Sequence, residues 1–441
     1  MTNAAVVVCM DASGSMSQRG YFQPAQTDAS TFVNIMQTGD SLGVTAFSDN
    51  AWIAYPTSSS LVAPISSQSV QTAATTAIMA LRTVNMTNMS AGLTTSANML
   101  TSAANPKAIV MLSDGEWNAG SNPLSNLPSV PVYTIALGNN GQVQTLQQIA
   151  SGTGGTFHLS PTPFDLADIY NEIIGLTQVA TVVANQKRNV NQNSFWLLPG
   201  TIPQGATEAT FSVSWTNWAI TYTNGTPVGN QVNVTLQNPA GSVVAATPTA
   251  IGNGFVVLKV QNPQAGIWQA AIWSSAGGTL GTAGGVFDPQ LSTQMQVEAP
   301  MNAKVGQPVA VNAQVRDTDG SVVPDVSITA SVEMPSMNPE QAVANNRARL
   351  DALAPSQVSK EDSDNVRMLS LQMQLGPGEI LLPYDQMPLF GEKAKDGSHQ
   401  LKFTPKYKGG HIVRLNASGY APKSKRNFSL ARRISVWAEQ S

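Results

Sequence analysis

The sequence is poor in the side chains that most enzymes use for covalent or acid–base chemistry. It contains one cysteine and three histidines in 441 residues. The single cysteine, Cys9, excludes an internal disulfide, and its apolar surroundings predict a buried thiol. The chain has no H-E-x-x-H, G-x-S-x-G or G-x-x-x-x-G-K-[ST] motif, and these motifs mark several protease, hydrolase and NTPase classes. We therefore predict that the protein is not an enzyme.

Charged residues are also scarce, and they are unevenly distributed. Residues 1–290 hold only 6 of the 23 basic residues and 11 of the 26 acidic residues, and the net charge of the chain is −3. Because the chain has no basic surface signature, we expect no nucleic-acid partner. No run of about 20 apolar residues occurs, so we expect no transmembrane helix.

The composition gives two opposing indications of localisation. The low charge and the many Thr and Asn residues favour an extracellular or cell-surface protein. No signal peptide precedes the first predicted strand, and this leaves a cytoplasmic location open. The oligomeric state cannot be predicted from the sequence.

Up to about residue 179, apolar strand-like segments alternate with helix-like segments. Strands are predicted at 6–10, 41–48, 108–114 and 130–138, and helices at 28–36, 73–81, from about 90, at 143–150 and at 164–174. Such alternation predicts a doubly wound α/β domain with a mostly parallel sheet, comprising residues 1–179.

From about residue 180, short alternating strands are separated by Asn, Gly and Pro turns. This pattern predicts two all-β, immunoglobulin-like sandwich domains, at 180–289 and 290–441. A charged segment at about 339–372 interrupts the last domain and predicts a helical insert. Asn338 is its expected N-cap and Pro339 its first helical residue.

Three loops of the first predicted domain carry oxygen ligands. Asp11, Ser13 and Ser15 follow the first buried strand, Thr87 precedes a predicted helix, and Asp114 ends another buried strand. Neighbouring strand ends of an open parallel sheet converge on one crevice, so these loops can meet there. Hard cations such as Mg²⁺ take oxygen ligands, which makes a metal site one interpretation. The alternative is that the first loop only caps the following helix.

The three stretches D-A-S-G-S (11–15), Thr87 and S-D-G-E (113–116) together resemble the metal-ion-dependent adhesion site of von Willebrand factor A domains. The resemblance covers about residues 1–179 and implies a Rossmann-like fold. It implies Mg²⁺ as the expected cation, with Mn²⁺ or Ca²⁺ as alternatives. The metal ligands that it implies are Asp11, Ser13, Ser15, Thr87 and Asp114. Asn85 and Met86 stand where the family often has glycines, which is a departure from its usual pattern.

The resemblance also implies a binding function. An acidic side chain of a protein partner would complete the coordination of the cation, and the sandwiches would act as a stalk or docking platform. Glu116, Trp117 and Asn118 follow Asp114, and we predict that they form part of a partner-binding rim. The alternative for Trp117 is that it packs over its own loop.

The order of the predicted domains is similar to that in the C-terminal half of calcium-activated chloride channel regulators and in bacterial surface proteins. Two other functions stay open at this point. Domains of this family also serve in the cytoplasm as assembly factors or co-chaperones of AAA+ machines. Alternatively, the cation is purely structural and partners bind to the sandwiches.

Overall fold

The computed structural model describes residues 3–18, 21–36, 38–104, 106–137, 143–160, 173, 181–215, 219–252, 254–287, 293–353, 364–375 and 379–440. The chain forms two compact units, Met1–Ile169 with Met337–Pro383, and Tyr170–Ser336 with Tyr384–Ser441. The predicted domain boundaries at 179/180 and 289/290 lie outside the described residues. So does the predicted helix at 164–174, except for residue 173.

The first unit contains a seven-stranded sheet. Its strands are β1 (Ala5–Asp11), β2 (Ser41–Phe47), β3 (Ala51–Tyr55), β4 (Ala63–Pro64), β5 (Lys107–Ser113), β6 (Val132–Leu137) and β7 (Phe157–Ser160). Their order is β3-β2-β1-β5-β6-β7, with β4 beside β2. Five neighbouring strands, β2, β1, β5, β6 and β7, are parallel, whereas β3 and β4 are antiparallel to β2. The predicted α/β fold is confirmed, with two antiparallel strands at one edge.

Four helices of this sheet domain lie where helices are predicted, and the short first helix is not among the predicted ones. The helices are α1 (Gly14–Gln18), α2 (Phe22–Ile35), α3 (Gln68–Ala80), α4 (Met89–Met99) and α5 (Gln144–Thr153), with a short 3₁₀ helix at Pro123–Asn126. All seven residues of β1 are buried, as expected of a central strand covered on both faces. None of the helices in the described part of the chain is long and apolar enough to span a membrane.

The second unit contains four sheets that pack in pairs. The first pair, here called the first sandwich, comprises β8 (Thr181–Val190), β9 (Ser194–Ile202), β10 (Glu208–Trp215), β11 (Thr221–Tyr222), β12 (Gln231–Gln237), β13 (Val243–Val244), β14 (Pro248–Gly252), β15 (Phe255–Gln261), β16 (Gly266–Ser274) and β17 (Gly278–Phe287). One sheet has the order β14-β15-β10-β17-β8, and the other has the order β11-β12-β16-β9 with β13 beside β12.

The core of the first sandwich is rich in aromatic residues. The rings of Phe211 and Trp268 lie 6.2 Å apart between their centroids. Trp268 Nε1 donates to the carbonyl of Gln264 at 2.7 Å, and Trp215 Nε1 donates to that of Ile220 at 2.8 Å. These bonds satisfy the polar atoms of two buried indoles, which lets the large rings fill the core without an unpaired donor.

The other pair of sheets, here called the second sandwich, comprises β18 (Gln294–Glu298), β19 (Asn302–Lys304), β20 (Val309–Arg316), β21 (Val326–Pro335), β22 (Tyr384–Leu389), β23 (Gly391–Lys393), β24 (His399–Phe403), β25 (Gly409–Ala421) and β26 (Arg426–Glu439). Its sheets have the orders β18-β20-β24-β23 and β19-β26-β25-β21-β22. The predicted strand-rich C-terminal region is therefore confirmed.

Between β21 and β22 the chain forms the predicted helical insert. Its helices are α6 (Pro339–Asn345), α7 (Arg347–Asp351) and α8 (Asp364–Leu375). The Asn338 side chain accepts a hydrogen bond from Glu340 N at 3.0 Å, so the predicted N-cap is confirmed. The insert has a small apolar core of its own, formed by Ala342, Val343, Leu350, Met368, Leu371 and Leu381.

A buried charge cluster links the two sandwiches. Arg414 Nε of the second sandwich donates to Glu333 Oε1 at 2.7 Å, and Lys187 Nζ of the first lies 3.5 Å from Glu333 Oε2. Burial by itself would raise the pKa of Glu333. The charges of Arg414 and Lys187 outweigh this effect and hold the pKa at about 2. Ionised Glu333 therefore stabilises the folded second unit.

The first prediction concerns the close packing of α4 on the sheet. A Cβ atom at Gly92 would lie 2.6 Å from Phe47 Cδ1 and 3.2 Å from Cys9 Sγ. We expect Gly92→Ala to lower the free energy of unfolding by about 1–2 kcal/mol, because overpacking outweighs the higher helix propensity of alanine. Denaturant unfolding followed by circular dichroism measures this. The matched control is Thr94→Ala, at an exposed position of the same helix. An unchanged or raised stability of Gly92→Ala would show that the helix can move away from the sheet.

The second prediction concerns the charge cluster. We expect Glu333→Gln to lower the free energy of unfolding by about 3–5 kcal/mol at pH 7, since it removes the buried negative charge that Arg414 and Lys187 face. The folded-state pKa of Glu333 lies below the ordinary value of 4.5. The stabilisation is therefore complete above pH 4.5 and is lost as the pH falls toward 2. Thermal unfolding of the unaltered chain and of Glu333→Gln, measured from pH 7 to pH 2, shows whether their difference in stability becomes smaller as the pH falls. Glu298→Gln, at an exposed position, is the control. A stability difference that does not change with pH would contradict the stabilising role of ionised Glu333.

Candidate metal site

The order of the strands in the first unit reverses between β1 and β5. From β1 the chain first adds strands on one side of the sheet, and from β5 onward it adds them on the other. Crevices at the carboxyl ends of parallel strands, at such a reversal, are where α/β proteins bind ligands. β1 ends at Asp11 and β5 ends at Ser113, directly before Asp114. The two predicted carboxylates therefore lie at this reversal, and both are buried.

The loop after β1 folds back on the Asp11 carboxylate. Ser13 N donates to Asp11 Oδ1 at 2.9 Å, and the hydroxyl oxygens of Ser13 and Ser15 lie 3.0 Å apart. Ser15 lies in the first turn of α1. These contacts hold three predicted oxygen ligands together within one short loop.

The loop before α4 runs beside the first loop. Val84 N donates to the carbonyl of Ala12 at 2.8 Å, and Gly14 N donates to that of Asn85 at 3.3 Å. Thr87 is buried at the end of this loop. Helix α4 then begins with Asn88 as its N-cap, whose side chain accepts a hydrogen bond from Ala91 N at 3.1 Å.

The loop after β5 is bound to Thr87 through its backbone. Thr87 N donates to Asn118 Oδ1 at 2.8 Å, and Asn118 N donates to the carbonyl of Thr87 at 3.1 Å. Gly115 has a φ of +88°, a left-handed conformation that turns the chain directly after Asp114. The structure thus brings the three loops, and with them all five predicted ligands, to one crevice.

Ser113 contacts the site, and the sequence analysis did not include it. Its hydroxyl donates to Asp11 Oδ2 at 2.6 Å and accepts a hydrogen bond from Gly115 N at 3.1 Å. The signal was present in the S-D-G-E stretch. Ser113 follows the last paired residues of β1 and β5, Met10 and Leu112, and so lies beside Asp11.

The electrostatics of the crevice fit a bound cation. Burial and, to a smaller extent, the negative charge of Asp114 together raise the pKa of Asp11 to about 7, although hydrogen bonds from Ser113 and Ser13 oppose the shift. Burying two negatively charged carboxylates close together costs free energy unless a positive charge compensates them. A divalent cation supplies that charge, and carboxylate and hydroxyl oxygens are the donors that hard cations prefer. The residues present therefore fit a Mg²⁺-type ion.

Thiol and imidazole donors do not contribute to this crevice. In the part of the chain that the structure describes, no group of three or more His, Cys, Asp or Glu residues is arranged to hold a metal. Cys9 is buried inside β1, and burial raises its pKa to about 11. The candidate site thus consists of two carboxylates and several hydroxyls.

The predicted rim residues have three different environments. Trp117 is 39% exposed, Glu116 is half-buried and Asn118 is exposed. The Asn118 side chain also holds the Thr87 backbone, as described above. Two further apolar side chains, Val84 and Met86, are exposed on the neighbouring loop. A role of these residues in partner binding stays a prediction.

Comparison with known proteins identifies one domain in the N-terminal part of the chain. The sequence model of the von Willebrand factor type A domain matches residues 5–172. No curated protein matches the chain. The proposed likeness to calcium-activated chloride channel regulators stays a prediction.

Several solved structures are similar to this chain at low identity. A von Willebrand factor type A protein from Catenulispora acidiphila has 14% identity and a TM-score of 0.37, and the match covers 73% of this chain and 64% of that protein. The von Willebrand factor domain of a type V pili tip protein from Porphyromonas gingivalis has 14% identity and a TM-score of 0.33, and the match covers 40% of this chain and 96% of that domain. The pilus adhesin SpaC from Lactobacillus rhamnosus GG has 12% identity and a TM-score of 0.35, and the match covers 99% of this chain and 56% of that protein.

The family match and the geometry of the first unit agree with each other. The matched segment includes the parallel sheet, the reversal of strand order and all three oxygen-bearing loops. Residues 5–172 of this chain are a von Willebrand factor type A domain.

Proposed function

We propose that this chain is a non-enzymatic protein that binds a protein partner through a divalent cation held in its von Willebrand factor type A domain. One observation carries the proposal. Three oxygen-bearing loops converge on two buried carboxylates at the reversal of strand order. The proposed ligands are Asp11, Ser13, Ser15, Thr87 and Asp114, and the proposed cation is Mg²⁺, with Mn²⁺ or Ca²⁺ as alternatives.

The chemistry of the ligand set favours recognition over turnover. Three of the five proposed ligands are neutral hydroxyls, so the cation keeps part of its positive charge and attracts a further carboxylate. An acidic side chain of a partner is such a group.

The surroundings of the crevice add a second contact to the proposal. The two hydrogen bonds between Thr87 and Asn118 hold Met86 and Trp117 on adjacent loops, and both side chains are exposed. Exposed aromatic and Met side chains beside a polar centre are frequent anchors in protein interfaces. We infer that the partner presents its acidic residue next to apolar side chains.

We propose adhesion at a cell surface as the biological setting. The domain family and the low charge of residues 1–290 support this setting. In this interpretation the two sandwiches act as a stalk or docking platform. The competing hypothesis is that the cation only ties the three loops together and the partner binds the sandwiches.

The third prediction tests the metal ligands. We expect Asp11→Ala and Asp114→Ala each to abolish Mg²⁺ binding in calorimetry while circular dichroism stays unchanged, because both residues lie at strand ends. Asp49→Asn is the matched control. Its carboxylate lies on a neighbouring loop and accepts a hydrogen bond from Met86 N, and we expect it to retain Mg²⁺ binding. Undiminished binding in both alanine variants would place the metal elsewhere.

The fourth prediction tests the coupling between metal and partner. We expect a chelator to release the native partner, and we expect metal and partner to tighten each other's binding by the same factor. Thr87→Ala should weaken partner binding about tenfold or more, whereas Thr87→Ser should retain it because the hydroxyl is kept. Capture of the partner in Mg²⁺ and in chelator measures both effects.

One result would refute this function and favour the structural alternative. In that case the partner stays bound in excess chelator and to Asp11→Ala, yet it is no longer captured when residues 180–441 are removed.

A further inference from the structure

The first sandwich exposes part of one face of its β11-β12-β16-β9 sheet, mainly on β9 and β16. Residues of a strand alternate between the two faces of a sheet. On β9, the residues Trp196 and Leu198 belong to the core of the sandwich, and the intervening residues Phe195, Leu197 and Pro199 lie on the opposite face. This opposite face is called the outer face below, and its residues on β9 are exposed.

The outer face carries a pair of neighbouring aromatic side chains. On β16, Trp268 and Ile272 belong to the core, so Ile267, Gln269 and Trp273 lie on the outer face. Trp273 is paired directly with Phe195 across the two strands. Phe195 is 61% exposed and Trp273 is 39% exposed. Such an exposed aromatic pair on a sheet face marks an interaction site.

The rest of the outer face is uncharged and contains amides. No residue of β9, β12 or β16 is Asp, Glu, Lys or Arg. Gln269 is paired with Pro199 on one side and with Gln237 of β12 on the other. Both glutamine side chains are half-buried. An amide both donates and accepts hydrogen bonds, so this row suits a ligand with hydroxyl groups.

The size of the face limits what can bind it. Three strands spaced about 4.8 Å apart and about seven residues long give a flat area of about 15 Å by 20 Å. This area is well below the roughly 800 Å² per partner of a stable protein interface. An extended ligand with a narrow footprint matches the face better than a folded protein does.

The edge of the sheet disfavours an added protein strand. β9 is the edge strand, and its backbone could in principle pair with a strand of another chain. Pro199 in the middle of β9 has no N–H group, and proline on an edge strand is a known obstacle to such pairing. Binding at this place therefore uses the face of the sheet and not its edge.

We propose that the outer face binds an uncharged oligosaccharide. Phe195 and Trp273 contact the apolar C–H face of one sugar ring, and Gln269 and Gln237, about four residues farther along their strands, exchange hydrogen bonds with the hydroxyl groups of another sugar unit. The absence of charge on the three strands matches a neutral glycan and disfavours an acidic one. This site is separate from the metal crevice and does not depend on it.

The fifth prediction tests this site by calorimetry of the full-length chain. The probes are cellohexaose, chitohexaose, maltohexaose and xylohexaose, each at millimolar concentration. We expect at least one of them to bind, and we expect Trp273→Ala and Gln269→Ala each to weaken that binding about tenfold or more. The matched control is Phe390→Ala, which removes an aromatic side chain that is 84% exposed in the second sandwich. This control should bind as the unaltered chain does.

Two conditions separate the glycan site from the metal site. Because no charged group takes part, the dissociation constant should stay within about twofold when the salt concentration is raised. It should also stay unchanged in excess chelator and in Asp11→Ala. Circular dichroism of Trp273→Ala and Gln269→Ala verifies that both variants are folded.

Three results would overturn the proposal. The first is that none of the four hexasaccharides binds. The second is that binding is retained in both Trp273→Ala and Gln269→Ala. The third is that light scattering shows a dimer that Phe195→Glu converts to a monomer, since the outer face would then be an interface between two copies of the chain.

Discussion

The main constraint on the sheet domain is the burial of two carboxylates, Asp11 and Asp114, where the strand order reverses. Such a pair can persist only if protons, hydrogen bonds or a cation compensate its charge. The fold supplies hydrogen bonds from Ser13 and Ser113, yet burial and the charge of Asp114 still raise the pKa of Asp11. The three loops around the two carboxylates are joined by further hydrogen bonds, such as that between Thr87 N and Asn118 Oδ1.

In the second unit, cationic side chains of the chain itself compensate a buried carboxylate. Glu333 is also buried, yet Arg414 and Lys187 lie beside it and hold its pKa at about 2. The charge is compensated within the chain, and it joins the two sandwiches. A carboxylate that the chain compensates by itself thus has a structural role, whereas the pair Asp11 and Asp114 is the place where we propose an external cation.

Low charge has a different consequence in each unit. In the first unit it means that few other charged side chains accompany Asp11 and Asp114. In the first sandwich it leaves a sheet face with aromatic and amide side chains and no ionised group. Neutral surfaces of this kind cannot attract partners by long-range electrostatics, so recognition there depends on contact, shape and hydrogen bonds. The two proposed sites therefore differ in their expected dependence on metal and salt.

The sequence by itself determined the parallel sheet and the helical insert, since apolar periodicity and capping residues such as Asn338 are local signals. It also indicated that Asp11 and Asp114 lie close together, because the carboxyl ends of neighbouring parallel strands meet at one edge of the sheet. It did not reveal the antiparallel strands β3 and β4, whose pairing with β2 is not encoded in their own short stretches. Only the tertiary structure decided that Ser113 donates to Asp11, that Asn118 holds Thr87 and that Glu333 meets Lys187. These contacts join residues far apart in the chain, and they depend on register and packing that no local pattern specifies.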